Sequence, residues 1–122
     1  MQSKNPGKYD LEERTVIFSQ KVLIFSKKLP KDVVSTPVIS QLVRSSTSIG
    51  ANYSEANNAE SRSDFKHKIG ICKKEAKETV YWLRMILSLF PDKKDEIDLM
   101  LSEAKELTLI FGAIIKTTVS NS

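Results

Sequence analysis

The sequence predicts an all-α chain: an antiparallel up-down-up-down four-helix bundle, assembled into a homo-oligomeric ring. Three observations carry the helical part. Apolar residues recur at helical spacing in four long segments. The four Gly and four Pro are few and sit mainly where those segments start or stop. The connectors between segments are short, which sets consecutive helices side by side and running back on one another.

The first helix is expected over about 10–29. Leu11, Thr15, Phe18, Val22, Phe25 and Leu29 recur at alternating spacings of four and three, and Pro30 ends the run. The second is expected over about 37–59, with Thr36 as N-cap and Pro37 at the first helical position, where a missing N–H costs nothing. Val38, Ile39, Leu42, Ser46, Ile49, Tyr53 and Ala56 share one face, and the apolar period runs through the weak helix formers Ser45, Thr47, Ser48 and Gly50. The third spans about 62–90. It opens on a capping-box pattern, Ser61-Arg62-Ser63-Asp64, and carries Phe65, Ile69, Cys72, Ala76, Thr79, Leu83, Ile86 and Phe90 as its inner stripe. Pro91 breaks it. The fourth, about 93–117, has Asp95 and Glu96 in its first turn, where carboxylates favour the helix dipole, and faces inward with Ile97, Met100, Ala104, Leu107, Phe111, Ile114 and Ile115. Flexible ends are expected at about 1–8 and 118–122, and the 122 residues fit one domain.

Composition narrows the chemistry. One cysteine, Cys72, precludes an internal disulfide, and one histidine, His67, leaves no four-ligand zinc set. Bundles that hold two metals need inward Glu residues and repeated Glu-x-x-His pairs. Asp64 precedes His67 by three, no second pair exists, and the inward stripes are apolar. The Ser45-Ser46-Thr47-Ser48 run has no histidine base, and Cys72 falls on the core face. The expectation is therefore a protein with no catalytic residues, no cofactor and no metal. The start lacks the apolar run of a signal peptide and nothing approaches the roughly 20 apolar residues of a membrane span, so a cytoplasmic protein without membrane association is expected.

The net charge is +4. Residues 1–32 carry seven Lys/Arg against four acids and residues 61–91 seven against three, whereas residues 92–122 carry four against six. On the third helix Arg62, Lys66, Lys73, Lys77 and Arg84 fall within an arc of about 60°. Arg14, Lys21 and Lys28 repeat the device on the first helix at spacings of seven. Such rows can track a phosphate backbone, so these eight residues are candidate nucleic-acid contacts. A row of this kind also reads as ordinary solvated helix surface. Ile71, Trp82, Met85 and Leu89 form a second apolar patch roughly opposite the inner stripe of the third helix, with Glu78 among them. Gln41, Arg44, Ser45, Ser48, Asn52 and Glu55 form a polar stripe on the second. Both are candidate oligomer contacts, since outward apolar patches and directed polar groups mark interfaces. Fuller burial of the third helix would account for the first patch, and exposed surface for the second.

The run Gln41-Leu42-Val43-Arg44-Ser45-Ser46-Thr47-Ser48-Ile49-Gly50-Ala51-Asn52-Tyr53-Ser54-Glu55-Ala56 resembles the signature of the bacterial "four helix bundle protein" family, which includes proteins encoded in intervening sequences of large-subunit ribosomal RNA genes. Asp64-Phe65, Lys68, Ile71, Lys74-Glu75-Ala76, Glu78-Thr79 and Tyr81-Trp82-Leu83 resemble the third-helix signature of one subgroup. Many relatives have Glu-Gly where this chain has Glu55-Ala56. The resemblance reaches, more distantly, the accessory protein of diversity-generating retroelements, whose members form pentameric barrels and bind a reverse transcriptase and nucleic acid. It implies a homo-pentamer with RNA, DNA or a reverse-transcriptase-like protein as partner. It also places shared polar positions at Gln41, Arg44, Ser45, Ser48, Asn52, Glu55 and Glu78. The functional expectation is a non-enzymatic oligomeric scaffold that binds RNA, DNA or a ribonucleoprotein. The alternative is a protein-binding adaptor with no nucleic-acid role.

Overall fold

The computed structural model describes residues 10–120, so the ends expected to be flexible at 1–8 and 121–122 lie outside the described residues. Four helices make up the fold: α1 (Leu11–Lys28), α2 (Ser35–Asn57), α3 (Arg62–Leu89) and α4 (Lys94–Ser120), with a 3-10 turn, Pro91–Lys93, before the last. There is no strand among the described residues, and no helix among them is long and apolar enough to cross a membrane.

Each helix starts and stops for a local reason. Asp10 Oδ1 accepts from Glu13 N at 3.0 Å and opens α1, with Glu12 and Glu13 in its first turn and Lys27 and Lys28 in its last. Leu29 is extended because Pro30 follows it.

The start of α2 corrects the sequence reading. The helix begins at Ser35, ahead of Thr36 and Pro37, and its cap lies upstream. Asp32 Oδ1 accepts from Val34 N (2.9 Å) and Ser35 N (2.8 Å), while Asp32 N donates to Ser35 Oγ (2.9 Å). This is a reciprocal box, and it starts the helix early enough that the N–H groups a Thr36 cap would have served, those of Val38 and Ile39, already lie within the helix. The two backbone N–H groups, that of Ser35 foremost, hold the Asp32 carboxyl below the usual aspartate range. At its far end α2 stops at Asn57, two residues short of the expected 59. Asn58 N and Ala59 N turn back onto the carbonyls of Glu55 and Ala56, closing the last turn.

Ser61 Oγ accepts from Asp64 N at 3.0 Å and opens α3, which ends at Leu89 ahead of Pro91. α4 runs to Ser120, past the expected bound of 117; Ile114 and Ile115 pack on the core and Thr118 Oγ1 donates to Ile114 O at 2.8 Å.

The inner stripes meet in one apolar core. Phe18, Leu42, Ile49, Ile69, Leu83, Ile86, Ile97, Leu107 and Phe111 are essentially without solvent contact, and the ring of Tyr53 leans on that of Phe111. α2 packs on α3, α3 on α4, and α1 on α2, whereas α1 and α4 meet at few points. Across α1 and α2, Thr15 lies against Gly50 and Ser19 Oγ donates to Ser46 O. Across α2 and α3 the matched pairs are Ser45 with Thr79, Ile49 with Cys72 and Glu55 with Lys68. In each case one number rises as the other falls.

Two glycines separate packing from helix propensity. A Cβ at Gly50 would sit 3.0 Å from Thr15 Oγ1 and 3.3 Å from Thr15 Cβ. Thr15 cannot swing clear: it is fully buried, and its hydroxyl donates to Glu12 O at 2.7 Å. A Cβ at Gly70 would meet nothing within 4 Å. Gly70→Ala should therefore stabilise the chain by about 1 kcal/mol, the propensity difference alone. Gly50→Ala should forfeit that gain and lower the melting temperature. Thermal unfolding followed by circular dichroism checks the opposite signs.

Candidate interaction surfaces

The polar stripe of α2 and the second apolar patch of α3 are brought together as two walls of one seam. Arg44 is its centre. Its Nε donates to Gln41 Oε1 (3.1 Å), its Nη1 to both carboxylate oxygens of Glu75 (3.2 and 3.4 Å), and its Nη2 to Glu78 Oε2. Trp82 Nε1 donates to the same Glu78 oxygen at 3.1 Å. The Glu78 carboxyl is held below the usual range, by the Trp82 N–H first and by Arg44 after it, and the Arg44 guanidinium is correspondingly held above its usual value. Glu75 was no candidate from sequence, yet it is a buried carboxylate whose side chain is only 11% exposed, and Arg44 supplies its countercharge.

Beneath this layer Thr79 Oγ1 donates to Ser45 Oγ (2.9 Å), whose own proton points to Leu42 O (3.3 Å). Both residues are fully buried. Ser45 is thus a core residue and not an exposed contact, because it lies on the α3 side of α2, where the two helices are closest. Ser48 and Asn52 are half-buried and return their hydrogen bonds to their own helix, Ser48 Oγ to Arg44 O (2.7 Å) and Asn52 Nδ2 to Ser48 O (2.8 Å). Glu55 reaches across to Lys68 Nζ at 2.6 Å. Ile71, Trp82 and Met85 are half-buried and Leu89 is more open, so the patch lies on the flank of α3 that adjoins α2 rather than opposite the core.

The two cationic rows differ. On α1, Arg14 forks onto Glu103 of α4 (2.7 and 2.9 Å) and reaches Glu106 (3.2 Å), which holds its guanidinium above the usual value, and Lys28 lies 3.5 Å from Glu96. Lys21 of this row is exposed. On α3, Lys66, Lys73, Lys77 and Arg84 form no ion pair among the described residues, and all but the half-buried Lys73 are exposed; Arg62 is exposed at the head of the row.

Sequence reasoning missed a third surface. Where α1 and α4 fail to close, a groove of about 760 Å3 opens, floored by Phe18, Phe25 and Met100 and edged by Ile17, Ile24 and Leu99. Ile24 is 63% exposed and Leu99 75%. The signal was present: Ile17 and Ile24 interleave with Arg14, Lys21 and Lys28 on one side of the helix.

Cys72 lies in the core, where burial pushes its thiol up to about 12 and keeps it protonated. No group of three or more metal-ligating side chains is assembled among the described residues.

Residues 8–113 match the family model of the 23S rRNA-intervening sequence protein. The chain is similar to a crystal structure from Bacteroides thetaiotaomicron VPI-5482, that of a protein of unknown function from the S23 ribosomal protein family. The two share 30% identity over 86% of this chain and 97% of the other, with a TM-score of 0.77. No curated protein matches the sequence.

The seam makes a pH-dependent prediction. Arg44→Met would leave Glu75 without its countercharge, at a cost of about 1 to 3 kcal/mol at neutral pH; the low end is expected because the Arg44 side chain is 43% exposed. Glu78 has a lowered folded pKa, so its share of this stability is present above the unfolded glutamate pKa. It is lost as pH falls through the folded value. The gap in stability between wild type and variant, measured by urea unfolding, should narrow below that range.

Proposed function

We propose that this chain, which belongs to the 23S rRNA-intervening sequence protein family, is a non-enzymatic, self-associating helical scaffold that binds nucleic acid through the basic row of α3. The carrying observation is the contrast between the two rows. Arg14 and Lys28 of α1 are drawn onto Glu96, Glu103 and Glu106, which leaves Lys21 alone of that row without an acidic partner among the described residues, whereas on α3 Lys66, Lys73, Lys77 and Arg84 all lack one. Lys66 and Arg84 are 18 positions apart, about 27 Å along the axis, a length that suits several successive phosphates. The family's tie to a ribosomal RNA gene makes RNA the first polymer to test.

Within this reading the helices form an antiparallel up-down-up-down bundle, which the opposed numbering of the paired residues supports. The bundles assemble into a ring of five. A closed ring needs two different faces on each copy. The α1–α4 groove is one, because its walls are opposite in charge, with Arg14, Lys21 and Lys28 facing Glu96 and Glu103 around exposed Ile24 and Leu99. The seam of Gln41, Arg44, Glu55, Glu78 and Trp82 is the other. The same groove favours the second reading, a protein-binding adaptor in which the charge of α3 is incidental.

Light scattering of the purified chain should give a mass well above 13.8 kDa at micromolar concentration, and Trp82→Ala should lower it with the helical circular dichroism largely intact. A clean monomer rules out the ring. Binding of structured RNA and duplex DNA should be measurable at low salt and should fall with log salt at about −0.7 to −0.9 per phosphate contact. A Lys66→Glu, Lys73→Glu, Lys77→Glu triple variant should bind clearly more weakly with its oligomer unchanged. Equal binding by both proteins would move the assignment to the adaptor.

A further inference from the structure

We infer that Tyr81 is a stacking platform for an unpaired base, so that the polymer bound along α3 is single-stranded where it crosses this residue. The inference rests on the nucleic-acid reading above. Tyr81 is 52% exposed and is the one exposed ring among the Phe, Tyr and Trp side chains of the described residues. It follows Lys77 by one turn and precedes Arg84 by three residues, which sets it about 40° and 60° around the helix from them. Both cations are exposed, and neither has an ion pair among the described residues.

The ring is also held. Tyr81 and Trp82 meet edge to face, with centroids 4.9 Å apart and planes at 80°. The indole is itself fixed by its N–H on Glu78, which Arg44 grips from α2. An exposed tyrosine on a helix ordinarily samples several rotamers, and ordering it on binding costs entropy. Here that cost is reduced by a neighbour that is already anchored.

Lys77 and Arg84 are about 10 Å apart along the axis. Phosphates on either side of one nucleotide can rest on the two cations while its base lies on the ring between them. A base inside a duplex has no free face to offer, so a continuous helix can use the cations but not the tyrosine. Stacking of this kind tolerates any base.

The test compares a short unstructured single-stranded RNA with a blunt RNA duplex, both fluorescein-labelled and titrated at low salt against the full chain. Tyr81→Ala should weaken single-strand binding by about five- to a hundred-fold, the range for losing one stacked base, and should leave duplex binding and the salt slope unchanged. Tyr81→Phe should bind within about two-fold of wild type. The lysine triple variant should weaken both probes. Wild-type single-strand affinity in Tyr81→Ala, alongside a weakened triple variant, overturns the stacking role and leaves the basic-row reading standing. Equal loss on both probes, or a Phe variant as weak as Ala, also overturns it. Failure of the wild type to bind either probe overturns both readings.

Discussion

The close approach of α2 and α3 is the constraint on which the other surfaces depend. Small and hydroxyl-bearing side chains stand at the contact, Ser45 from one helix and Cys72 and Thr79 from the other, all buried. Burying a hydroxyl costs free energy unless it is hydrogen-bonded. Ser45 Oγ accepts from Thr79 and gives its own proton to Leu42 O, so each hydroxyl has a partner and the two helices can pack without an orphaned donor at this contact. That contact fixes the rotation of α3. With it are fixed the flank that carries Glu75, Glu78 and Trp82 towards Arg44, and the opposite flank that carries the lysines towards α4.

α4 then sorts the charge. Glu96, Glu103 and Glu106 lie on its α1 side and draw in Arg14 and Lys28. On its α3 side lies Gly112, over which the Lys73 side chain passes, 3.7 Å from where a Cβ would be. Lys105 and Lys116 recur with Gly112 at spacings of seven and four, so the same side of α4 adds cations rather than acids. Two rows that look alike in sequence therefore differ in availability: Arg14 and Lys28 are neutralised in place, whereas Lys66, Lys73, Lys77 and Arg84 form no ion pair among the described residues.

Much of this was legible in the sequence where a feature is periodic within one helix. The inner stripes from Thr15 to Ile115 are the residues that pack the core, because burial on a helix follows its own repeat. What depends on two helices was not legible. Ser45 belongs to the polar stripe by its own angle, and only the presence of Thr79 across the contact makes it a core residue. Glu75 is one more acid in a charged stretch until Arg44 is seen to reach it. The cap of α2 was written as Asp32-Val33-Val34-Ser35, but Thr36-Pro37 is the stronger isolated signal. Ile17 and Ile24 were hidden by the cations that alternate with them.

The open edge between α1 and α4 has a consequence for how the fold comes apart. α1 is buried against α2 but is fastened to α4 chiefly by side-chain charge, so it belongs to the least protected part of the molecule. Subglobal opening is expected to begin there, with α1 lifting away about the connector at 29–34 while the three remaining helices keep most of the core. Its amide protons are then expected to exchange with solvent ahead of those in the middle of α3. Raised ionic strength hastens that opening by weakening the clasp. In a crowded assembly, a helix that leaves and returns on its own can also dock on a neighbouring copy, the route by which domain swapping arises.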